Sequence, residues 1–372
     1  MTTSRAPASG AAQGVSERIR TRQRRPERSV AARVSVVIPC FNYARYLPGC
    51  IQSALSQDNV TVDVIVVDDA STDGSAEVAE SIARQDPRIT VVAHRENQGP
   101  VATYNDGLAC VDGEFSVRLD ADDLLTPGAL ARAVALFDTF PSVGLVYGHP
   151  IHFTGDPPPA RADVRSWTVW PGVWWVSRRC DRGVNCITSP EVVMRQSVVR
   201  QVGGQRELAQ THDMEMWMRI ASVSDVGHLE GPDQAWHREH EQSRSAKMVD
   251  AVTDLSERRL AFEMLFDGPA GELREADRMR ADAHRSLAAE ALTRASHAFD
   301  RGRVESTPVD WYRSFALEIY PNARRLRQWR ALRRRERLGA RLSAVTPPFV
   351  AAAISRRVRG DIAYRYWTRY GL

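Results

Sequence analysis

Hydrophobic positions between residues 33 and 150 follow two alternating periods. Short β-branched runs have the length and composition of buried strands: VSVVIP from Val34, VDVIVVDD from Val62, ITVVAH from Ile89, EFSVRLD from Glu114 and VGLVYGHP from Val143. Between them lie stretches with helical spacing. YLPGCIQSALSQ puts Leu47, Ile51, Ala54 and Leu55 on one face, with Pro48 in the first turn, where a missing N–H costs nothing. STDGSAEVAESIARQ does the same with Val78, Ile82 and Ala83, and GPVATYNDGLACV and TPGALARAVALFDTF continue the series. Strand and helix alternate throughout, which predicts an α/β fold: a doubly wound, mostly parallel sheet with helices on both faces.

Such sheets bind ligands beyond the carboxyl ends of their strands. Those ends carry Pro39, Phe41 and Asn42 after the first strand, Asp68 and Asp69 after the second, and Asp120, Asp122 and Asp123 after the fourth. The pattern changes after residue 150. A Trp-rich segment, SWTVWPGVWWVSRRC, is followed by the amphipathic THDMEMWMRIASVSD, and from residue 249 onward only helical patterns remain. The expected organisation is a disordered Arg-rich stretch over 1–32, a catalytic domain over 33–248 and a helical, Arg-rich C-terminal appendage over 249–372.

Composition narrows the class. The 372 residues are 43% hydrophobic, enough for a packed core, and the net charge of +4 conceals an Arg excess at both ends around a balanced middle. The middle is therefore no general polyanion binder. Five scattered cysteines without zinc spacing suit reduced thiols. Neither a signal-peptide pattern nor a run of about 20 apolar residues is present, so the expected location is cytoplasmic, extending to the cytosolic face of a membrane.

The acidic run RLDADD is the strongest chemical signal. Asp73 reads as a helix cap, and for Asp68 and Asp69 structural and ligand-binding roles are equally open. Three carboxylates within four positions raise one another's pKa unless a cation neutralises them. Hard oxygen donors suit Mg²⁺ or Mn²⁺, which normally completes its shell with phosphate oxygens, so the substrate is expected to carry phosphate. No G-x-x-x-x-G-K-[ST] loop and no G-x-G-x-x-G at the first helix is present, which argues against P-loop and dinucleotide-binding readings.

Six segments in order, VSVVIPCFNYARYLPGCIQSALSQ, VIVVDDASTDGS, HRENQGPVATYNDGLA, RLDADDLLTPGAL, SPEVVMRQSVVRQVGG and THDMEMWMRI, together resemble glycosyltransferase family 2 over about residues 33–245. The resemblance implies a GT-A fold, an inverting reaction and a nucleotide-diphosphate sugar donor, with an unidentified hydroxyl acceptor. By position it implies Pro39 and Phe41 near the base, Asp68 and Asp69 at nucleobase or ribose, and Asp120 beside ribose or diphosphate. It implies Asp122 as leading metal ligand with Asp123 second, and Asp213 as catalytic base. QAWHREHEQSRS matches a further element through Arg238, His240 and Ser243, with His240 meeting metal or diphosphate and Arg238 neutralising phosphate; His237 is expected at the surface.

Two positions depart from the family pattern. His212 stands where Glu normally precedes the base, leaving room for Glu215 to share the role, and Tyr104 stands where an Arg is usual. Two other functions compete: a nucleotidyltransferase, disfavoured because PCFNYARYLPG supplies no Gly-rich phosphate loop, and a non-catalytic scaffold or membrane-surface module. Trp167, Trp170, Trp174 and Trp175 suit either an acceptor platform or the core, whereas Met214 and Trp217 are expected in the core. The Arg-, Trp- and Tyr-rich C-terminal tail fits peripheral contact with an anionic membrane or a helix packed on the protein itself. Nucleic acid is disfavoured, since no recognisable module accompanies the charge.

Overall fold

The computed structural model describes residues 14–23, 29–240 and 250–371. The elements run β1 (Ile19–Thr21), β2 (Ala32–Cys40), α1 (Leu47–Leu55), β3 (Val60–Asp68), α2 (Ser75–Ala83), β4 (Ile89–Ala93), α3 (Pro100–Ala109), β5 (Phe115–Arg118), β6 (Leu124–Leu125), α4 (Ala129–Thr139) and β7 (Val143–Phe153). There follow β8 (Ser166–Trp170), α5 (Gly172–Arg182), β9 (Val193–Arg195), α6 (Gln196–Val202), α7 (His212–Ala221) and β10 (Asp225–Arg238). The chain ends in α8 (Ala251–Phe266), α9 (Ala276–Asp300), α10 (Val309–Ile319), α11 (Arg327–Val345) and α12 (Pro347–Tyr370). All five strands and four helices expected up to residue 150 are present.

One sheet carries the order β1-β8-β10-β7-β9-β5-β2-β3-β4, with β6 on β10. Strands β5, β2, β3 and β4 are parallel neighbours, which suits their predominantly apolar sequences, since helices cover both faces. The other half is mixed: β9 pairs antiparallel with both β5 and β7, and β8 pairs antiparallel with β10. Helix α3 lies close on the parallel half because residue 107 is glycine; a Cβ there would sit 2.5 Å from Val37 Cγ1 and 2.9 Å from Val67 Cγ2.

One expectation changes. The stretch before residue 33 is not uniformly unstructured: β1 pairs with Trp167–Val169 of β8, and Arg20 donates to the Glu230 carboxylate. The region after residue 249 is helical, and most of it packs on the preceding domain. A single apolar cluster contains Tyr147, Trp170, Trp175 and Met216 together with Leu255, Phe262, Leu287, Phe315 and Leu332. Burial of that shared face fixes α8 to α11 on the sheet, because each of these helices has an apolar stripe that must leave water. Trp167, Trp170 and Trp175 are fully buried, so three of the four candidate platform residues are core; Trp174 is partly exposed. Met214 and Trp217 are buried as expected, and all five cysteines are free thiols. No helix among the described residues is long and apolar enough to cross a membrane.

Candidate active site

The carboxyl ends of β2, β3 and β5 meet on one edge. Asp69 N donates to Cys40 O at 2.8 Å and His94 N to Asp68 O at 2.9 Å, so the turns leaving β2, β3 and β4 are tied together. Ala70, directly after the acidic pair, has φ +57°, a left-handed conformation costly for a residue with a Cβ. The neighbouring turn is held by Asn42, whose Oδ1 accepts from Thr72 N at 2.7 Å. Asp73 closes the same turn, accepting from Ser75 N and Ala44 N, while Gly74 occupies the N-cap position of α2.

Pro39 lies within β2, and Phe41, just past it, projects outward at 45% exposure. Asp69 is 3% exposed and fully engaged: Oδ1 accepts from Gln98 N at 2.8 Å and lies 2.9 Å from His94 Nδ1, while Oδ2 accepts from Gly99 N at 2.9 Å. Burial pulls its pKa upward, but these donors more than offset that and leave it below the ordinary value. Asp69 thereby organises the loop between β4 and α3. Asp68 differs. Its Oδ2 accepts from Ser71 N at 3.0 Å, but its Oδ1 is buried without a partner, a polar atom that costs free energy unless something meets it.

The acidic run leaves β5 and turns back through β6, which pairs antiparallel with Ala235 and Trp236 of β10. This pairing carries the end of β10 to the carboxylates. Asp123 is completely buried: Arg238 N donates to Oδ1 at 2.8 Å and His237 Nδ1 lies 3.0 Å from Oδ2. Burial alone would lower the His237 pKa, but the Asp123 carboxylate pushes it up to about 9. His237 is thus no surface residue, and Asp123, with both oxygens engaged by protein donors, is poorly placed as second metal ligand. Arg238 is likewise held by the protein, donating through Nε to Asp122 O at 3.0 Å and through Nη1 to Gly155 O at 2.8 Å. Its guanidinium lies between the rings of Tyr46 and Phe153.

Asp122 and His240 remain. His240 Nε2 is 2.9 Å from Asp122 Oδ2. Desolvation, then Asp123 and then Asp120 drive the Asp122 pKa up to about 7, outweighing the His240 contact. A carboxyl that gives up its charge so readily, facing an imidazole, is a place where a divalent cation relieves repulsion. Among the described residues no three His, Cys, Asp or Glu side chains form a cage. Mg²⁺ and Mn²⁺ bound with phosphates need none, since one or two carboxylates suffice, so the Asp122 carboxylate fits them. Ser243 lies outside the described residues.

Asp120 and the proposed base are linked by Arg118, which the sequence reading passed over. Arg118 is 7% exposed; Nε donates to Asp120 Oδ1 at 3.0 Å and Nη1 to Gln205 Oε1 at 2.7 Å. Its guanidinium lies 5.3 Å from the centre of the Tyr104 ring, so the residue that departs from the family pattern supplies a face for a cation from the next strand. Gln205 is fixed in turn by Asn105, which exchanges two 2.8 Å hydrogen bonds with its backbone. Burial raises the Asp120 pKa, yet Arg118 outweighs it and Asp120 stays ionised more readily than an ordinary carboxyl. A signal existed in the sequence: an arginine inside an otherwise apolar strand, two residues before a carboxylate.

Asp213 lies in the first turn of α7, half-buried, its Oδ1 accepting from Met214 N at 2.5 Å. Desolvation raises its pKa to about 6, against the opposing pull of the Met214 N–H and of Arg118. His212 is buried with Nδ1 3.1 Å from Leu208 O. Glu215 is unavailable as an alternative base, being fully buried with its oxygens on Arg219 at 2.9 Å and Arg206 at 3.2 Å.

An open α/β sheet with carboxylates at its strand ends, a mixed second half and a half-buried acid on a following helix defines a protein of the GT-A fold class. Residues 35–199 match the model of glycosyl transferase family 2. It is 38% identical over 115 residues to an uncharacterized glycosyltransferase, alr2836, of Nostoc sp., covering 31% of this chain and 36% of the relative. It is also 38% identical over 93 residues to glycosyltransferase GlyG of Streptococcus pneumoniae, covering 25% and 31% respectively. The matched stretch thus spans about a third of the length of these curated relatives. The crystal structure of S. aureus TarS 1–349 in complex with UDP-GlcNAc has a TM-score of 0.51 at 16% identity over 79% of this chain and 92% of that one, a likeness of fold.

Proposed function

We propose that this chain transfers a sugar from a nucleotide-diphosphate sugar to an acceptor hydroxyl with inversion at the anomeric carbon, in the building of a polysaccharide, glycolipid or other glycoconjugate. The observation that carries the reading is Asp213: a half-buried carboxyl with its pKa raised to about 6, in electrostatic reach of Arg118 and Asp120 at the sheet edge. A base poised there is ionised at neutral pH and still able to hold a proton. TarS, which shares the fold, is seen with UDP-GlcNAc.

In this reading the nucleotide lies over the ends of β2 and β3, where the unpartnered Asp68 Oδ1 accepts a hydrogen bond from base or ribose. Asp120, kept ionised by Arg118, orients the ribose or sugar hydroxyls. Asp213 accepts the proton of the acceptor hydroxyl as its oxygen bonds to the anomeric carbon; the bond from that carbon to the diphosphate oxygen breaks on the opposite face, and the nucleoside diphosphate departs with the electron pair. Asp122 and His240 are the residues that would hold Mg²⁺ or Mn²⁺, which supplies charge neutralisation on the diphosphate when bound.

Thermal shift with UDP-, GDP- and dTDP-sugars in the presence of Mn²⁺ tests the reading. One donor is expected to raise the melting temperature; Asp122→Ala abolishes the metal-dependent part, whereas Asp213→Asn keeps the shift and loses transfer. Absence of any shift across the panel refutes donor binding, and retained transfer in Asp213→Asn refutes the base assignment.

A further inference from the structure

The last two helices wear apolar side chains on the outside. Val358, Ile362 and Tyr366 of α12 are 51%, 61% and 46% exposed and, at spacings of four, form one stripe along the helix. Tyr364 beside them is 60% exposed, and Leu338, Leu342 and Val345 of α11 are 41%, 57% and 70% exposed. Residues 357–366 are exposed without interruption. Large aliphatic and aromatic groups kept in water along two adjoining helices need a partner.

Charge selects that partner. Residues 324–372 hold 14 arginines against two acidic residues, Glu336 and Asp361. Glu336 is already paired with Arg313 and Arg333. Arg334, Arg337, Arg341, Arg357 and Arg359, all exposed and interleaved with the apolar positions, have no ion pair among the described residues. The stretch is also held in place rather than trailing. Arg335 lies 4.1 Å from the Phe349 ring centre at the start of α12, and at its end Trp367 Nε1 donates to Cys186 O at 2.6 Å while Tyr147 Oη donates to Gly371 O at 2.5 Å.

We infer that the outer face of α11 and α12 is a docking surface for an anionic lipid bilayer, lying in the interface with Val358, Ile362, Tyr366 and Leu342 among the acyl chains and the arginines on the headgroup phosphates. This goes beyond the transfer reaction and does not depend on it. An apolar face alone would suit another protein, and an arginine field alone would suit RNA. Most of the exposed apolar positions, Val358, Ile362, Leu338, Leu342 and Val345, are aliphatic and offer bases no stacking face, and the alternation of unpaired cations with apolar groups matches the layered chemistry of headgroup and chain. The helices lie on the bilayer rather than cross it, since none of those described is apolar enough to span.

Co-sedimentation of the full chain with phosphatidylcholine vesicles, with and without phosphatidylglycerol, tests this. Binding is expected only to the anionic vesicles, falling steeply with added salt. Val358→Ser/Ile362→Ser/Tyr366→Ser and Arg341→Gln/Arg357→Gln/Arg359→Gln are each expected to weaken it by about tenfold or more. All six side chains are exposed, so unchanged circular dichroism and melting temperature will accompany the loss. Equal binding to neutral and anionic vesicles, no binding to either, or undiminished binding by the apolar variant overturns the proposal, as does tight binding to an RNA homopolymer in place of vesicles.

Discussion

Asp213→Asn is expected to stabilise the protein at neutral pH, and the pH dependence of that gain reports the pKa of the proposed base. The folded state raises the Asp213 carboxyl from an ordinary 3.8 to about 6. Between these values the native chain binds the proton that the unfolded chain has released, so stability falls as pH rises through the window and stays lowered above it. Two pKa units correspond to about 3 kcal/mol at most, and partial access of water to the half-buried group reduces this to about 1–3 kcal/mol. Asparagine has nearly the same shape and its Oδ1 can still accept from Met214 N, so the substitution removes the charge without removing the contact. Urea denaturation of both proteins from pH 3.5 to 8 measures the difference, with equal slopes required for comparison. The two curves should coincide near pH 4, separate towards pH 6 and run parallel above. A variant less stable than the parent at pH 7, or a difference independent of pH, would refute the view that burial strains this carboxylate.

Four further outcomes follow from the fold and the site. Arg118→Met removes the hydrogen bonds to Asp120 and Gln205; since Asp120 is 34% exposed and water takes over part of the loss, the expected cost is about 2–4 kcal/mol of unfolding free energy measured in urea, well above that of a surface arginine. In the Arg118→Met background the separation produced by Asp213→Asn should continue past pH 6, because the cation that lowers the Asp213 pKa is gone; an unchanged window would remove Arg118 from the electrostatics of the base. For transfer itself, kcat/KM should fall tenfold per pH unit below about pH 6, where Asp213 takes up a proton, and flat activity down to pH 4.5 would point to another base. Gly107→Ala should cost about 1–3 kcal/mol in thermal or urea unfolding with no change in the pH profile, because the new methyl group meets Val37 and Val67 across the contact between helix and sheet.

The sequence alone determined the parallel half of the sheet and the edge on which the chemistry gathers. Period-two and period-3.6 patterns are local, and β2, β3 and β5 are apolar enough on both faces that only a helix-covered parallel sheet suits them. The carboxylates Asp68, Asp69, Asp120 and Asp122 lie at the ends of those strands, so their gathering on one edge follows from the order of the elements.

What each carboxylate does was decided only by partners distant in the chain. Asp123 is engaged by His237 and Arg238, 114 and 115 residues away, and Arg118 is oriented by Gln205, 87 residues away, itself clamped by Asn105. A run of three aspartates looks symmetrical in sequence, yet β10 takes one, Arg118 takes another, and only Asp122 faces His240 with its charge uncompensated. The four-tryptophan segment and the C-terminal helices were ambiguous for the same reason: amphipathic periodicity states that a face must be buried but not against what. The shared core around Trp170, Trp175, Phe262 and Leu287 resolves it, because burial is a property of the assembled elements, whereas periodicity belongs to each element alone.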